Sequence, residues 1–399
     1  MIFWMMPDSA AKTQEVMQGF LAPFKKLNPD IDVQIKVINR RTLWAEIFTL
    51  KRRAGREERP DLIAIPHYWT ELLTHMGAIV NLTELDKTLR VDNCLDPLKP
   101  QSYKKGSADV YSYPWWMDVT ALHYREDHLK LICADPAAKL STWQGMLEAC
   151  ESLKEHFGTT GYYPVQNSDW RGTLSNRSVL PNLWSRGACL MDKEGAQSGF
   201  NGKEFTEGLQ DYLQLALKNY MPVLKERGSL GVAALGKSSI VMTRRMGAAV
   251  LGAQDAPVQT IGVPRTGAKE VNYLGGVSLA VVSGGAQTQA AHKLLKWLIS
   301  PGAQLKYAAL AGVFPAAEAS FEQFLLAAPA RVKNYTGIIA NGMALESLLS
   351  TGTVMEVLAA LLSDITSDIV MNKYSALVLK ERIKTAAAEV DNILNLYGN

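Results

Sequence analysis

The chain has 399 residues, 47% of them apolar, and a formal net charge of +3 from 42 basic and 39 acidic residues. This length and composition predict a globular protein of two or three domains. So balanced a charge gives no field that favours nucleic acid or an anionic membrane surface, and neither is an expected partner. Because no apolar run reaches the roughly 18 residues that a spanning helix needs, no membrane-spanning helix is predicted.

The first half of the chain alternates short apolar strands with helices. IFWM is followed by Pro7-Asp8-Ser9, a helix start signal, and by a helix that carries Val16, Phe20 and Phe24 on one stripe. IDVQIKVI, a helix over residues 43–50 and the buried strand DLIAI come next. This order favours a mainly parallel sheet covered by helices on both faces.

The same alternation resumes after Asp118 with TALHYRED, a helix capped by Thr142, a strand near GYYPV and helices through residues 209–217. A second α/β lobe is therefore predicted. Strands AAVLGA, VQTIGVP and VSLAVV follow, the last of them introduced by Gly275-Gly276. Residues from Ala286 onward are predicted to be almost entirely helical, with Ser300-Pro301 opening one helix. The final helix carries a buried stripe of Leu379, Ile383, Ala387, Val390 and Leu394.

Several short motifs are weak evidence for a nucleotide, metal or nucleic-acid site. GVAALGKS at residues 231–238 has the spacing of a phosphate-binding loop, but no buried strand precedes it, so a surface loop is favoured over a nucleotide site. The six histidines include no pair four residues apart, which favours ordinary histidines over a metal site. The basic run at residues 51–59 also contains acidic residues and indicates a solvated surface. Cys94, Cys133, Cys150 and Cys189 lack metal or redox spacing and are expected to be buried free thiols.

Aromatic residues are concentrated where predicted strands end. They are Trp4, Tyr68-Trp69, Trp115-Trp116 and Trp170. In open α/β sheets the ligand crevice lies outside the carboxyl ends of the strands, so these rings point to a binding cleft. Since aromatic faces stack on sugar rings and Asp118, Asn167, Asp169 and Arg171 offer hydrogen bonds, a carbohydrate-like ligand is predicted. The pattern does not decide which tryptophan of the adjacent pair faces the ligand.

The order of several segments resembles the extracellular solute-binding proteins of ABC importers, in the group that includes maltose-binding protein. The segments are FKKLNPDIDVQIKVI, RPDLIAIPHYWTELLTHMGAIVNLTEL, YSYPWWMDVTALHYREDHL, RRMGAAVLGA, AAHKLLKWLISPGAQLKYAALAGVFPA and NKYSALVLKERIKTAAAEVDNIL. The resemblance covers nearly the whole chain. It departs from the family at Arg125, where asparagine is usual, and in AAVLGAQDA, which lacks a tryptophan.

The resemblance implies a two-lobe periplasmic-binding-protein fold of type II, each lobe being a mainly parallel sheet flanked by helices, with a hinge crossed by more than one segment. Residues 1–117 and 276–328 would form one lobe, residues 118–275 and 329–399 the other, and the ligand would bind between them. The implied ligand contacts are Trp4, Asp8, Trp44, Tyr68, Trp69, Trp116, Asp118, Trp170, Arg171, Gly275 and Gly276. No catalytic residue, metal or cofactor is implied, because the family binds its ligand without turning it over.

The same resemblance implies a monomer that delivers a mono- or oligosaccharide to an ABC permease, from the periplasm or from a lipid anchor on the outer membrane face. The N-terminal MIFWMMP lacks the features of an export signal and is interpreted as a first strand. The residues leave three alternatives open. One is a carbohydrate-active enzyme with aromatic subsites, which needs two facing carboxylates. The second is a nucleotide-dependent enzyme that uses Lys237. The third is a binding protein for a polyol or glycerophosphodiester, with Arg171 or Arg40 on an anionic group.

Overall fold

The computed structural model describes residues 1–7, 13–50, 59–158, 160–167, 174–192, 195–223, 238–244, 257–328 and 330–397. Two compact units divide the chain. Unit 1 comprises Met1–Asp118, Gly275–Ala328 and Ala344–Thr351, and unit 2 comprises Val119–Leu274, Pro329–Met343 and Gly352–Asn399. Each unit is therefore assembled from segments far apart in the sequence.

Eleven strands lie within the described residues. They are β1 (Ile2–Met5), β2 (Gln34–Val37), β3 (Leu62–Pro66), β4 (Tyr113–Val119), β5 (Ala121–Arg125), β6 (Val165–Asn167), β7 (Ile240–Thr243), β8 (Val258–Ile261), β9 (Asn272–Val281), β10 (Phe314–Pro315) and β11 (Gly342–Ala344). One sheet has the order β10-β4-β9-β3-β1-β2, with β11 also pairing β9, and the other has the order β6-β7-β5-β8.

The described helices follow the expected alternation. They are α1 (Thr13–Phe20), α2 (Ala22–Leu27), α3 (Arg40–Ile47), α4 (Thr70–His75), α5 (Leu82–Leu85), α6 (Glu126–Lys130), α7 (Pro136–Leu140), α8 (Trp143–Phe157), α9 (Asn176–Ser185), α10 (Lys203–Leu217), α11 (Thr288–Leu298), α12 (Pro301–Ala311), α13 (Glu318–Ala327), α14 (Ala330–Lys333), α15 (Tyr335–Ala340), α16 (Thr351–Val370) and α17 (Ala376–Tyr397). Short 3-10 helices cover His67–Trp69 and Asp96–Ser102.

The α/β class is confirmed, but both sheets are mixed rather than mainly parallel. In unit 1, β1 pairs in parallel with β2 and β3, whereas β9 runs antiparallel to β3. In the other sheet, β5 is antiparallel to both β7 and β8, and only β6 runs parallel to β7. Strand β9 begins in unit 2 and enters unit 1 at Gly275.

A large apolar core stabilises unit 1. It joins β1, β3 and β9 to α1, α11 and α12 through buried side chains such as Phe3, Phe20, Leu279 and Tyr307. The helix expected after Pro7 is broken into α1 and α2, with Pro23 at the start of α2. Phe20 and Phe24 still bury their rings against Trp297, at centroid distances of 5.0 and 5.7 Å. The apolar stripe thus survives the break in the helix.

Local signals in unit 2 are confirmed. Thr142 caps α8 by accepting a hydrogen bond from the Gly145 N–H at 3.1 Å. All five stripe residues of α17 (Leu379, Ile383, Ala387, Val390 and Leu394) are buried. Gly275-Gly276, expected to introduce a strand, lies inside β9. The predicted strand AAVLGA lies outside the described residues.

Residues 344–351 group with unit 1. The Ser347 hydroxyl accepts a hydrogen bond from the Glu71 N–H at 3.0 Å, and the Leu345 carbonyl accepts one from Gln101 at 3.3 Å. These hydrogen bonds attach the segment to unit 1. Within the described ranges, no helix is long and apolar enough to cross a membrane.

Candidate functional site

Aromatic residues follow the carboxyl end of strand β3 in the unit 1 sheet. All five of its residues are buried, and Pro66 is followed directly by the 3-10 helix of His67, Tyr68 and Trp69. The Thr70 hydroxyl donates to the His67 carbonyl at 2.9 Å and pairs with the Ser112 hydroxyl at 2.8 Å. These bonds fix the turn, so the two aromatic side chains have defined positions.

Four residues form what we term the aromatic corner, namely Arg40, Trp44, Tyr68 and Trp69. The Trp44 and Trp69 ring centroids are 4.9 Å apart at an interplanar angle of 50°. Arg40 Cζ lies 6.0 Å from the centre of the Tyr68 ring and 5.9 Å from that of Trp69, within range of a cation–π contact. Trp44 and Arg40 are half-buried, whereas Tyr68 and Trp69 are buried.

Two hydrogen-bond donors in this corner have no acceptor within the described part of the chain. The Tyr68 hydroxyl and the Trp69 indole nitrogen are buried without a hydrogen-bond partner among the described residues. Leaving a buried polar group unpaired costs about 1–3 kcal/mol. The indole nitrogens of Trp115 and Trp116 are likewise buried without a hydrogen-bond partner among the described residues. An oxygen acceptor that reached the corner would be stabilised by both donors.

The adjacent tryptophans of β4 point to opposite faces of the sheet, as strand geometry requires. Trp115 is 1% exposed and stacks on Tyr307 with ring centroids 4.3 Å apart. Trp116 and Asp118 are half-buried on the other face. Trp115 is thus a core residue, whereas the side chain of Trp116 remains partly exposed.

His67 lies where three strands meet. Its Nδ1 is 2.7 Å from the Ser278 hydroxyl of β9. A β-carbon on Gly276 would lie 2.3 Å from His67 Nε2 and 2.4 Å from the Trp116 carbonyl oxygen. Burial lowers the pKa of His67 to about 3, although the Trp116 carbonyl opposes the shift. The ring is therefore neutral at physiological pH.

Trp4 is fully buried on β1, in register with Lys36 of β2 and Ile63 of β3. The Lys36 ammonium lies 5.3 Å from the centre of its ring. Trp4 therefore supports β1 between its neighbours β2 and β3, and neither face of its ring is exposed.

The structure brings together many of the predicted ligand contacts. Trp44, Tyr68 and Trp69 share the aromatic corner, while Trp116 and Gly276 meet at His67. Gly275 is buried in β9, next to Gly276. Asp8, Trp170 and Arg171 lie outside the described residues, as does residue 237 of the GVAALGKS motif. Sequence reasoning missed His67 and Lys36, although His67 shows the same signal as its neighbours because it directly follows a buried strand.

The cysteines are all free thiols, but they are not all buried. Cys94 and Cys150 are buried, Cys133 is half-buried and Cys189 is exposed in the loop after α9. Burial raises the pKa of Cys94 to about 12, which keeps this thiol protonated and unreactive.

Across the described part of the chain, no group of three or more histidine, cysteine or acidic side chains is arranged to hold a metal ion.

The sequence matches the family model of the bacterial extracellular solute-binding proteins over residues 19–338. The chain belongs to this family. The match spans unit 1 and unit 2 and includes the whole aromatic corner. No curated protein sequence matches the chain.

Solved structures share the fold over essentially the full length of this solute-binding protein. Maltose-bound MalE3 of T. maritima is 21% identical, with a TM-score of 0.80 over 98% of this chain and 100% of that one. An ABC transporter solute-binding protein of Agrobacterium vitis S4 with bound D-mannitol is 20% identical, with a TM-score of 0.77 over 100% and 98%. The GacH receptor of Streptomyces glaucescens GLA.O, solved unliganded and with acarbose, is 15% identical, with a TM-score of 0.80 over 99% of each chain. The fold is therefore that of the type II periplasmic binding proteins.

Proposed function

We propose that this solute-binding protein captures a carbohydrate and delivers it to the permease of an ABC importer, without chemical turnover. Membership of an extracellular solute-binding family supports the proposal. So does the likeness of the fold to proteins solved with maltose, mannitol and acarbose.

The observation that carries the proposal is the aromatic corner. It combines ring surface, which stacks on the C–H faces of a sugar, with the Tyr68 and Trp69 donors that have no acceptor among the described residues. Small-molecule sites typically join such apolar walls to a few placed polar groups.

Burial divides the candidate contacts into two layers. The half-buried Trp44, Trp116 and Asp118 form the outer layer, and the buried Trp4, Tyr68 and Trp69 form the inner layer, in which the Tyr68 hydroxyl and the Trp69 indole N–H are the groups that would bind a ligand oxygen. Gly275 and Gly276 let backbone approach closely. Asp8, Trp170 and Arg171 complete the set on the basis of the family resemblance alone.

The same resemblance supports the remaining parts of the proposal. The two units act as lobes, and the ligand binds between them. Its contacts to both lobes select a closed state. A monomeric state and a periplasmic or lipid-anchored location belong to the same proposal.

Ligand binding without turnover is the property that tests this function. We expect maltose, mannitol or a related sugar to raise the melting temperature, since a ligand at 100 times its Kd stabilises the folded state by about 2.7 kcal/mol. The stabilising sugar is then incubated with the protein and analysed by chromatography. Recovery of unchanged sugar supports a binding protein, whereas release of a product would show a carbohydrate-active enzyme. A panel in which no sugar or polyol stabilises the protein would refute the proposal.

A further inference from the structure

The imidazole of His67 reaches from the end of one strand, past a second, to a third. The sheet order places β9 between β3 and β4. Pro66, the last residue of β3, pairs with Val277 of β9 in antiparallel register, so the next residue, His67, stands beside Gly276. A β-carbon on that glycine would lie 2.3 Å from His67 Nε2 and 2.4 Å from the carbonyl oxygen of Trp116 on β4. The ring therefore occupies space that only a glycine leaves open.

Ser278 of β9 holds the other nitrogen of the ring. Its hydroxyl lies 2.7 Å from Nδ1, and both side chains are buried. The ring is neutral at physiological pH, so it carries a single N–H group. A serine hydroxyl can donate or accept a hydrogen bond, whereas the Trp116 carbonyl can only accept one. The tautomer that suits both neighbours carries its hydrogen on Nε2, with Nδ1 accepting from Ser278.

The contact between Nε2 and the Trp116 carbonyl combines electrostatic attraction with close packing. The carbonyl favours the protonated ring, since it opposes the lowering of the His67 pKa. Nε2 makes no full hydrogen bond within the described residues, so the attraction acts over a longer distance than such a bond. Because Gly276 leaves the ring in place beside the carbonyl, loss of the ring would free this part of β4 to shift.

A second contact joins the same turn to the start of β4. The Thr70 hydroxyl donates to the His67 carbonyl at 2.9 Å and lies 2.8 Å from the Ser112 hydroxyl. Ser112 directly precedes β4. The turn after β3 is thus attached to β4 at Ser112 and at Trp116, and only the second attachment depends on the imidazole.

We propose that His67 is a positioning residue for ligand binding, which holds the Trp116 backbone so that the partly exposed indole is directed toward the ligand. Trp116 is half-buried, on the face of β4 opposite to the core residue Trp115. Backbone position sets the direction of a strand side chain, so a shift at the carbonyl redirects the ring. This inference rests on the proposed function, because it assumes that Trp116 contacts a sugar, and it adds a buried residue that acts without touching that sugar.

Fluorine NMR of protein labelled with 5-fluorotryptophan reads the position of Trp116 without a ligand. The Trp116 resonance is the one that disappears in Trp116→Phe. His67→Asn keeps an amide at the place of Nδ1, whereas His67→Gln keeps one at the place of Nε2. We therefore expect the Trp116 resonance to shift in His67→Asn and to stay close to its wild-type position in His67→Gln. His75→Asn, at an exposed position on α4, is the control and should leave the resonance unchanged.

A double-mutant cycle on sugar affinity tests whether His67 acts through Trp116. In calorimetric titrations with maltose and D-mannitol, we expect His67→Asn to weaken binding about fivefold and His67→Gln to weaken it less than about twofold. In the Trp116→Ala background, His67→Asn should cause no further loss of affinity, because the ring that it positions is gone. The loss of folding stability caused by His67→Asn should persist in both backgrounds, since it arises from packing of the imidazole itself.

The outcomes separate this inference from the proposed function. An unchanged Trp116 resonance in His67→Asn, or equal losses of affinity from His67→Asn in the two backgrounds, would overturn the positioning role and leave the carbohydrate-binding function standing. Wild-type affinity in Trp116→Ala would do the same. If neither maltose nor D-mannitol binds, the positioning role in ligand binding is refuted, and the wider panel of sugars and polyols then decides the proposed function by itself.

Discussion

Gly276 and His67 are so close that a β-carbon on the glycine would lie 2.3 Å from the imidazole Nε2. The glycine also has a φ of +150°, which residues with a side chain rarely adopt. Its site is bounded on another side by the Trp116 carbonyl, 2.4 Å from the same hypothetical β-carbon. Strands β9 and β4 and the end of β3 therefore meet at a position that only glycine fits.

Replacing this glycine should destabilise the protein markedly. Gly276→Ala forces a β-carbon against backbone, which cannot rotate away, and it strains φ. We expect a loss of about 3 kcal/mol in the free energy of unfolding, from overpacking together with backbone strain. Urea unfolding followed by tryptophan fluorescence measures it.

Gly302→Ala is the matched control for this loss. Gly302 lies in α12 with nothing within 4 Å of an added β-carbon. Alanine there should be neutral or stabilise the helix by about 0.5–1 kcal/mol. Equal effects of the two substitutions would show that the contact between Gly276 and His67 is not restrictive.

His67 should make stability fall in mild acid. Its pKa is about 3 in the folded protein against 6.5 for an ordinary histidine, so between these values the unfolded chain binds more protons. The stabilisation from the neutral ring is complete above pH 6.5 and is lost as the pH falls toward 3. The slope from this single group is at most about 1.4 kcal/mol per pH unit.

His67→Asn removes the titrating ring and keeps an amide that can reach Ser278. The variant should be less stable at pH 7, because it leaves a cavity, but its stability should depend less on pH between 6.5 and 3. Urea midpoints measured across this range test the prediction. His75 is exposed on α4, so His75→Asn is the control for the loss of a histidine that is not buried. Parallel pH profiles for wild type and His67→Asn would contradict a role for this ring.

The two adjacent tryptophans should respond differently to truncation. Trp115→Ala removes the ring stacked on Tyr307 and should cost about 3–5 kcal/mol of folding stability. Trp116→Ala should change the unliganded melting temperature much less, because this side chain is half-buried. It should weaken sugar binding about tenfold or more, as loss of a central aromatic contact does.

Thermal melting and titration with the stabilising sugar measure both effects. Trp116→Phe is the control that retains an aromatic face and should retain most of the affinity. A large loss of unliganded stability in Trp116→Ala, with affinity unchanged, would make this tryptophan a packing residue instead.

Two helix starts provide a local test of capping. Thr142 accepts a hydrogen bond from Gly145 at the start of α8, so Thr142→Ala should cost about 1 kcal/mol. Ser300 occupies the cap position of α12, but its hydroxyl donates to the Trp297 carbonyl at 2.7 Å and caps no helix N–H. Ser300→Ala should therefore cost less in urea unfolding. Equal losses would mean that the cap bond at Thr142 contributes little.

Features that depend only on residues close together in the sequence could be predicted from the sequence. The Thr142 cap, the apolar stripe of α17 and the buried strand β3 each follow from a few consecutive side chains. The concentration of aromatics at strand ends also indicated the edge at which Tyr68 and Trp69 lie. These signals succeed because helix and strand periods repeat over short stretches of chain.

The direction of β9 and the membership of residues 344–351 could not be predicted in this way. Both depend on segments that return to unit 1 after long excursions. Alternation of strands and helices is the same whether a returning strand enters the sheet parallel or antiparallel. Hence the mixed sheets became visible only from the register of the paired strands.

The sequence by itself determined the α/β fold class, the family and the concentration of aromatic residues at strand ends. Only the tertiary structure decided that Trp115 lies in the core while Trp116 lies on the other face, because the two residues are chemically identical and differ only in which side of β4 packs on Tyr307. It likewise decided that Arg40 rests on Tyr68 and Trp69. That contact joins residues following two different strands, and the register of a folded sheet is what brings such residues together.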